Sequence, residues 1–140
     1  ASASLFLPAV LFVVAVFLAF STGTSWGTFA ILVPIVINMF AESDQTMMII
    51  AVSSVLAGAV CGDHLSPISD TTIMSSSGAQ SNHINHVRTQ MQYAFVVIVV
   101  CVAGYLIAGF TKSWWITLIS SLVLLTCVLL VIRKRELSKK

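Results

Sequence analysis

The chain alternates long apolar runs with short polar interruptions, and this pattern predicts helices that cross a membrane. A bilayer core requires roughly 20 apolar residues for each helical crossing. Two runs, 93–110 and 114–132, approach this length and are separated by only three residues. They predict a transmembrane helical hairpin with Trp114 and Trp115 at its turn, where amphipathic rings favour the headgroup layer.

The first forty residues contain two apolar runs that are each short for a full crossing. The runs at 4–20 and 26–40 flank the sequence STGTS at 21–25. One continuous helix over 4–40 would exceed about 50 Å at a rise of about 1.5 Å per residue, which is too long for one crossing. We therefore expect either a helix with an unwound middle or the two arms of a re-entrant hairpin. A plain turn outside the membrane is the alternative reading of STGTS, whose residues favour turns.

A second interruption follows the apolar run 46–61, where residues 62–72 read GDHLSPISDTT. Pro67 has no backbone N–H and clashes with the preceding turn, so a carbonyl near position 63 is expected to lose its partner within the helix. These features predict a second broken helix over 46–76. The residues assigned to breaking the two helices are Gly23, Gly27, Gly62 and Pro67.

The composition supports a membrane location. Of the 140 residues, 58% are hydrophobic and 9% are charged, whereas soluble domains are near a quarter charged. Five of the seven Lys and Arg residues lie in 133–140, which predicts a cytoplasmic basic tail. The loops at 42–44 and 111–113 are then expected on the outer side. No basic surface interleaved with aromatic residues exists, which argues against nucleic-acid binding. The three cysteines show no pairing pattern and are interpreted as packing residues.

Oxygen-bearing side chains are concentrated at the two interruptions. The carboxylates are Asp63 and Asp70, and the hydroxyls are those of Ser66, Ser69, Thr71, Thr72, Thr22, Thr24 and Ser25. Such hard oxygen ligands suit Na⁺ or a proton, whereas zinc prefers Cys and His. Interrupted apolar helices with polar breaks indicate a secondary-transporter site. We therefore predict Na⁺ at Asp63 and Asp70, with no cofactor other than the transported Na⁺ and H⁺.

Other interpretations of these polar residues remain open at this stage. Asp63 and Asp70 are also suited to capping helices at the membrane edge. His83 and His86 fall in a polar stretch that is expected to be a solvated cytoplasmic loop. An intramembrane aspartyl protease would require the sequence GxGD, but Val60 stands where its first glycine would be. The sequence therefore does not favour an enzyme.

Two stretches resemble the C-terminal part of the NhaC family of Na⁺/H⁺ antiporters, which is similar to the malate–lactate antiporters. They are FSTGTSWGTFAILVPI (20–35) and GDHLSPISDTTIMSSSGAQSNHINHVRTQMQYA (62–94). The residues matching the family's first motif are Thr22, Gly23, Thr24, Ser25, Trp26 and Gly27, and those matching its second are Asp63, Ser66, Pro67, Ser69, Asp70, Thr71 and Thr72. Members of the family are longer and belong to a group with inverted halves. The resemblance therefore implies that 1–140 is a C-terminal fragment of a transporter. Its expected partner is the missing N-terminal half of the same transporter.

The sequence thus predicts an all-α, polytopic membrane protein with broken or re-entrant helices, forming one half of an inverted-repeat secondary transporter. We expect it to exchange Na⁺ for H⁺ by alternating access across the inner membrane, with its C-terminus in the cytoplasm. One alternative is an ion-coupled exchanger of an organic substrate, of the malate–lactate or amino-acid type. Another is an inert truncated fragment. No arginine is expected at membrane depth to bind a carboxylate, which favours the cation exchanger.

Overall fold

A computed structural model of the protein describes residues 3–40 and 44–137. The helices are α1 (Ala3–Thr22), α2 (Ser25–Phe40), α3 (Gln45–Leu65), α4 (Asp70–Gly78), α5 (His83–Thr111) and α6 (Trp114–Leu137). Within the described residues, α1, α3, α5 and α6 are long and apolar enough to cross a membrane, whereas α2 is a shorter apolar helix. The all-α prediction is confirmed there, and the helix lengths fit a multi-pass membrane protein. Glu42, Ser43 and the end of the basic tail lie outside the described residues.

Helices α1 and α3 run parallel and in close contact. A Cβ atom added at Gly58 would lie 2.4 Å from the Phe12 carbonyl oxygen, and one added at Gly62 would lie 2.2 Å from the Val16 carbonyl oxygen. Small residues allow this approach of two backbones, as in membrane helix pairs generally. Gly62 was predicted to break the helix, and this is wrong. It lies inside α3, where the absence of a side chain allows the backbone of α1 to approach closely.

Helix α2 returns along α3 from the end of α1. Gly23 contacts Ile68, so the C-terminal ends of α1 and α3 lie side by side. The N-terminal end of α3 lies at the opposite end of these two parallel helices. The chain between them must therefore run back, so α1 and α2 form a hairpin linked at Gly23 and Thr24. The three helices share a core of buried side chains: Ala15, Ala19, Leu32, Val36, Phe40, Met47, Ala51, Val55 and Ala59. Gly27, also predicted to break a helix, lies within α2, so that prediction is wrong as well.

Helix α5 packs antiparallel against α1 and α3. The rings of Phe12 and Tyr105 lie 5.4 Å apart, and the Tyr105 hydroxyl donates a hydrogen bond to the Ser53 carbonyl at 3.1 Å. Near the start of α3 and the end of α5, the Lys112 ammonium donates to the Asp44 carboxylate. This hydrogen bond holds the pKa of Asp44 below its ordinary value. The two connections that carry these charges therefore lie at the same end of the helices.

Helix α5 begins ten residues before the predicted span. Asn82 caps its N-terminus, where the Asn82 side-chain oxygen accepts a hydrogen bond from the Asn85 N–H at 3.1 Å. The polar stretch containing His83 and His86 is therefore helical, and the expectation of a solvated loop is wrong. Helix α6 follows a turn at Lys112, whose φ is 49°. It packs against α5, where a Cβ atom at Gly104 would lie 2.5 Å from the Ser121 hydroxyl oxygen.

Candidate functional site

The two interruptions predicted from the sequence meet in the structure. Gly23, in the link between α1 and α2, has a φ of 67°, a conformation that glycine adopts without steric cost. A Cβ atom at this position would lie 2.9 Å from the carbonyl oxygen of Ile68, in the link between α3 and α4. The first break therefore contacts the second through backbone atoms.

The second break consists of residues 66–69, between the end of α3 and the start of α4. Because Pro67 has no N–H to continue the helix, α3 ends at Leu65, and the Ser66 N–H donates to the carbonyls of Gly62 and Asp63 at 3.1 Å each. The Asp63 carbonyl therefore has a partner, and the predicted free carbonyl at this position is wrong. Ser69, at the N-cap position of α4, ends the break.

The side chains of Asp63, Ser69 and Thr71 form a compact group, which we call the carboxylate cluster. Asp63 lies in the last turn of α3 and is only 3% exposed. The Ser69 hydroxyl donates to Asp63 Oδ1 at 2.8 Å, and the Thr71 hydroxyl donates to Asp63 Oδ2 at 3.1 Å. The two hydroxyl oxygens lie 2.7 Å from each other. Four oxygen atoms from the two sides of the break therefore surround one small volume.

The hydrogen atoms of the carboxylate cluster are one too few for its contacts. Three oxygen–oxygen contacts lie within hydrogen-bond distance, and a separate hydrogen bond in each of them requires three hydrogens. The Ser69 and Thr71 hydroxyls carry one hydrogen each, and an ionised Asp63 carries none. The third contact is satisfied by one additional proton or by a cation among these oxygens. The cluster is thus suited to hold one positive charge.

Ser66 provides a further oxygen in the same break. Its side chain is fully buried, and within the described residues its hydroxyl oxygen has no hydrogen-bond partner. A buried hydroxyl without a partner costs about 1–3 kcal/mol, so such a group calls for a ligand or another compensation. Its place three residues after Asp63 makes it a candidate ligand for a cation held at the carboxylate cluster.

The structure separates the two aspartates. Asp70 is exposed, and its Oδ1 accepts a hydrogen bond from the Thr71 N–H at 2.8 Å in the first turn of α4. A carboxylate there is favoured by the helix dipole. Within the described residues, no hydrogen bond joins Asp70 to the carboxylate cluster. Thr72 is buried at 3% exposure.

The hydroxyls of the first break serve their own helices. Thr22 donates to the Leu18 carbonyl at 2.8 Å, and the Thr24 hydroxyl oxygen accepts from the Gly27 N–H at 3.4 Å at the start of α2. Ser25 begins α2 and is half-buried. Within the described residues, no hydrogen bond joins these side chains to the carboxylate cluster. The contact of the first break with the second is at Gly23.

Two further residues at this site were missed from the sequence. His83 Nε2 lies 2.8 Å from the Pro67 carbonyl oxygen, and His83 Nδ1 lies 3.0 Å from the Ser76 hydroxyl. Ser76 is 1% exposed. The spacing of His83 and His86 was visible in the sequence, but nothing in that spacing indicated a contact with a proline sixteen residues earlier.

Spanning helices that are interrupted beside a buried carboxylate are features of an ion-coupled membrane transporter. The chain belongs to the Na⁺/H⁺ antiporter family, whose sequence model matches residues 2–110. It is 48% identical over 130 residues to an uncharacterised protein of Haemophilus influenzae, covering 93% of this chain and 25% of that protein. It is 31% identical over 107 residues to the malate-2H⁺/Na⁺-lactate antiporter of Bacillus subtilis, covering 76% of this chain and 22% of that protein. The chain thus spans about a quarter of the length of these relatives. No solved structure matches it.

Proposed function

We propose that this chain is part of a secondary transporter that exchanges Na⁺ for H⁺, and that the carboxylate cluster is where the two ions compete. The observation that carries the proposal is the missing hydrogen among Asp63, Ser69 and Thr71. A proton on Asp63 completes the three contacts. A Na⁺ ion among the same oxygens replaces that proton, because oxygen ligands suit a hard monovalent cation.

Competition for one carboxylate gives obligatory exchange when the empty form does not reorient across the membrane. With the proton bound, Asp63 is neutral and a cation is no longer attracted. With Na⁺ bound, the carboxylate is ionised and cannot keep the proton. If only the occupied forms reorient across the membrane, each ion moves only in exchange for the other. Ser66 contributes its buried hydroxyl to the Na⁺-bound form, in which it gains the partner that it otherwise lacks.

The position of the cluster supports alternating access. It lies where the α1–α2 link contacts the α3–α4 link, and broken helices at such a meeting point bind coupling ions in secondary transporters. We further propose that the protein lies in the inner membrane with its C-terminus in the cytoplasm. An N-terminal half of inverted topology would provide the remaining surface of the ion pathway. Na⁺ and H⁺ are the transported ions, and the mechanism requires no cofactor.

The test compares two matched variants, one on each side of the second break. Na⁺-dependent proton movement is measured by fluorescence dequenching in everted membrane vesicles that carry the full-length gene product. Asp63→Asn removes the shared carboxylate and is expected to abolish exchange, with a loss of at least about 100-fold, because a buried charge partner is removed. Asp70→Asn removes an exposed charge that, within the described residues, makes no hydrogen bond to the side chains of the cluster, and it is expected to keep most of the exchange.

Competition itself provides the second readout. Within the range where protons occupy the cluster, each unit of lowered pH should raise the apparent KM for Na⁺ about tenfold while leaving the maximal rate unchanged. Exchange that survives in Asp63→Asn, or a KM for Na⁺ that does not respond to pH, contradicts the proposal.

A second function is favoured by the relative from Bacillus subtilis, whose name describes exchange of malate and protons for Na⁺ and lactate. An organic anion would require a positive group at the site. Within the described residues, Arg88, Lys112, Arg133, Lys134 and Arg135 are all exposed, and the carboxylate cluster contains only oxygen ligands. Addition of malate or lactate to the same vesicles distinguishes the two functions: stimulation of Na⁺-dependent proton movement would identify the organic-anion exchanger.

A further inference from the structure

His83, the first residue of α5, joins three parts of the site. Its Nε2 contacts the carbonyl of Pro67 in the α3–α4 link at 2.8 Å. Its Nδ1 contacts the hydroxyl of Ser76 in α4 at 3.0 Å. The imidazole therefore bridges the break, the short helix that follows it and the membrane-spanning helix α5.

The chemistry of these partners determines the hydrogen positions. A carbonyl oxygen only accepts hydrogen bonds, so Nε2 must carry a hydrogen. The single hydrogen of the Ser76 hydroxyl has two acceptors, the Ile73 carbonyl at 2.9 Å and His83 Nδ1. A neutral ring accepts this hydrogen at Nδ1. A protonated ring donates from Nδ1, and the Ser76 hydrogen turns to Ile73. The contact with Pro67 is the same in both states.

The α3–α4 link is thus held from two sides at neighbouring carbonyls. His83 donates to the carbonyl of Pro67, and Gly23 lies against the carbonyl of Ile68. The next residue is Ser69, whose hydroxyl donates to Asp63. We propose that His83 is a positioning residue of the ion site: through Pro67 it sets the distance between Ser69 and Asp63. This inference rests on the proposed function, because it assigns His83 a role in the same site.

Two substitutions separate the two contacts of the ring. In His83→Gln, the side-chain amide nitrogen takes the place of Nε2 and can still donate to Pro67. In His83→Asn, the amide nitrogen of the shorter side chain takes the place of Nδ1. It keeps a contact with Ser76 and loses the hydrogen bond to the Pro67 carbonyl. We expect His83→Asn to raise the KM for Na⁺ by about three- to tenfold, as for one lost hydrogen bond, with a maximal rate within about twofold of wild type. His83→Gln is expected to restore the wild-type KM to within about twofold.

The matched control is the same pair of substitutions at His86, one turn further along α5. The Nε2 of His86 lies 3.5 Å from the Ser75 hydroxyl, and within the described residues His86 makes no hydrogen bond to the break. His86→Asn and His86→Gln are expected to keep the wild-type KM for Na⁺. The KM does not depend on the amount of protein in the membrane, so a lower yield of a variant does not affect the comparison.

The outcomes distinguish this inference from the proposed function. If wild-type vesicles exchange Na⁺ for H⁺, Asp63→Asn abolishes exchange and His83→Asn keeps the wild-type KM, then His83 does not position the site, although the proposed function stands. Equal impairment of His83→Asn and His83→Gln also overturns the inference. If wild-type vesicles show no exchange, both fail. Should His83→Asn not reach the membrane, His83→Ala, which also loses the contact with the Pro67 carbonyl, replaces it. It is expected to raise the KM for Na⁺ by at least about threefold, and an unchanged KM overturns the inference.

Discussion

The two breaks of this chain have similar compositions but different structures. Both are rich in hydroxyl residues and contain a residue that interrupts a helix. In the first, the Thr22 hydroxyl donates to its own helix and the Thr24 oxygen accepts an N–H of α2, so their hydrogen-bonding capacity serves the helix ends. In the second, the hydroxyls of Ser69 and Thr71 converge on a buried carboxylate from the preceding helix.

The difference shows that the number of oxygen atoms does not define an ion site. What matters is whether these oxygens face one another and whether their hydrogen atoms are already engaged elsewhere. The first break provides shape, because Gly23 allows the Ile68 carbonyl to approach. The second break provides the ligands. Four measurements test this division of roles, in order of decreasing expected effect.

Removal of hydroxyls from each break in turn should give the largest difference. The double variant Ser69→Ala/Thr71→Val removes both donors to Asp63 and is expected to raise the KM for Na⁺ by more than about tenfold, because each hydrogen bond to a charged group contributes about 1.5–3 kcal/mol. The matched control, Thr22→Val/Thr24→Val, removes hydroxyls that serve helix ends. It should change the KM for Na⁺ by less than about twofold. Equal effects of the two double variants on Na⁺-dependent dequenching would contradict the division of roles.

The structural role of the first break is tested at Gly23. Gly23→Ala places a Cβ atom in a left-handed conformation and against the Ile68 carbonyl, so it should destabilise the protein by about 1–2 kcal/mol from backbone strain alone. The control is Gly78→Ala, since a Cβ atom at Gly78 meets nothing within 4 Å. Thermal unfolding of the purified full-length protein measures both. A melting temperature of Gly23→Ala equal to that of Gly78→Ala would show that the breaks do not depend on this contact.

The stability of Ser66→Ala tests whether the buried hydroxyl of Ser66 is an ion ligand or only a packing group. Without Na⁺, Ser66→Ala removes a buried group that has no partner and should raise the free energy of unfolding by about 1 kcal/mol. With saturating Na⁺, the wild type should gain more stability than the variant, because only the wild type offers this oxygen to the ion. Melting temperatures with and without Na⁺ provide the comparison. An identical Na⁺-dependent rise in both proteins would exclude Ser66 as a ligand.

The smallest effect is expected at the ion pair of Asp44 and Lys112, far along α3 from both breaks. The Lys112 hydrogen bond lowers the pKa of Asp44, so its contribution to stability is present above the ordinary pKa of 3.8 and is lost as the pH falls through the lowered value. Lys112→Gln should remove this acid-dependent contribution and leave exchange within about twofold of wild type, since exposed pairs contribute little. Thermal unfolding measured at a series of acidic pH values detects this contribution to stability. A large loss of exchange would show that this end of the helices belongs to the ion pathway.

The sequence was sufficient to predict the class of fold and the two breaks, because apolar run length and proline act locally. It was not sufficient to assign the glycines. Gly62 and Gly27 lie inside helices, whereas Gly23 lies in a link, and the flexibility of glycine does not distinguish these uses from close packing. The same limit applies to His83, whose contact with Pro67 depends on how α5 packs. The inverted repeat and any re-entrant position of the first hairpin stay predictions.

Because α1 and α3 pack in parallel, contact between the two breaks depends on the number of residues in each helix. Phe12 faces Gly58 and Val16 faces Gly62, so the two helices advance in step along this stretch, and Gly23 then meets Ile68 in the link that follows α3. One residue inserted between Val16 and Gly23 would lift the first break by about 1.5 Å and rotate it by about 100° about the helix axis, away from the second. Insertions in this stretch of either helix must therefore be matched in the other for the breaks to remain in contact.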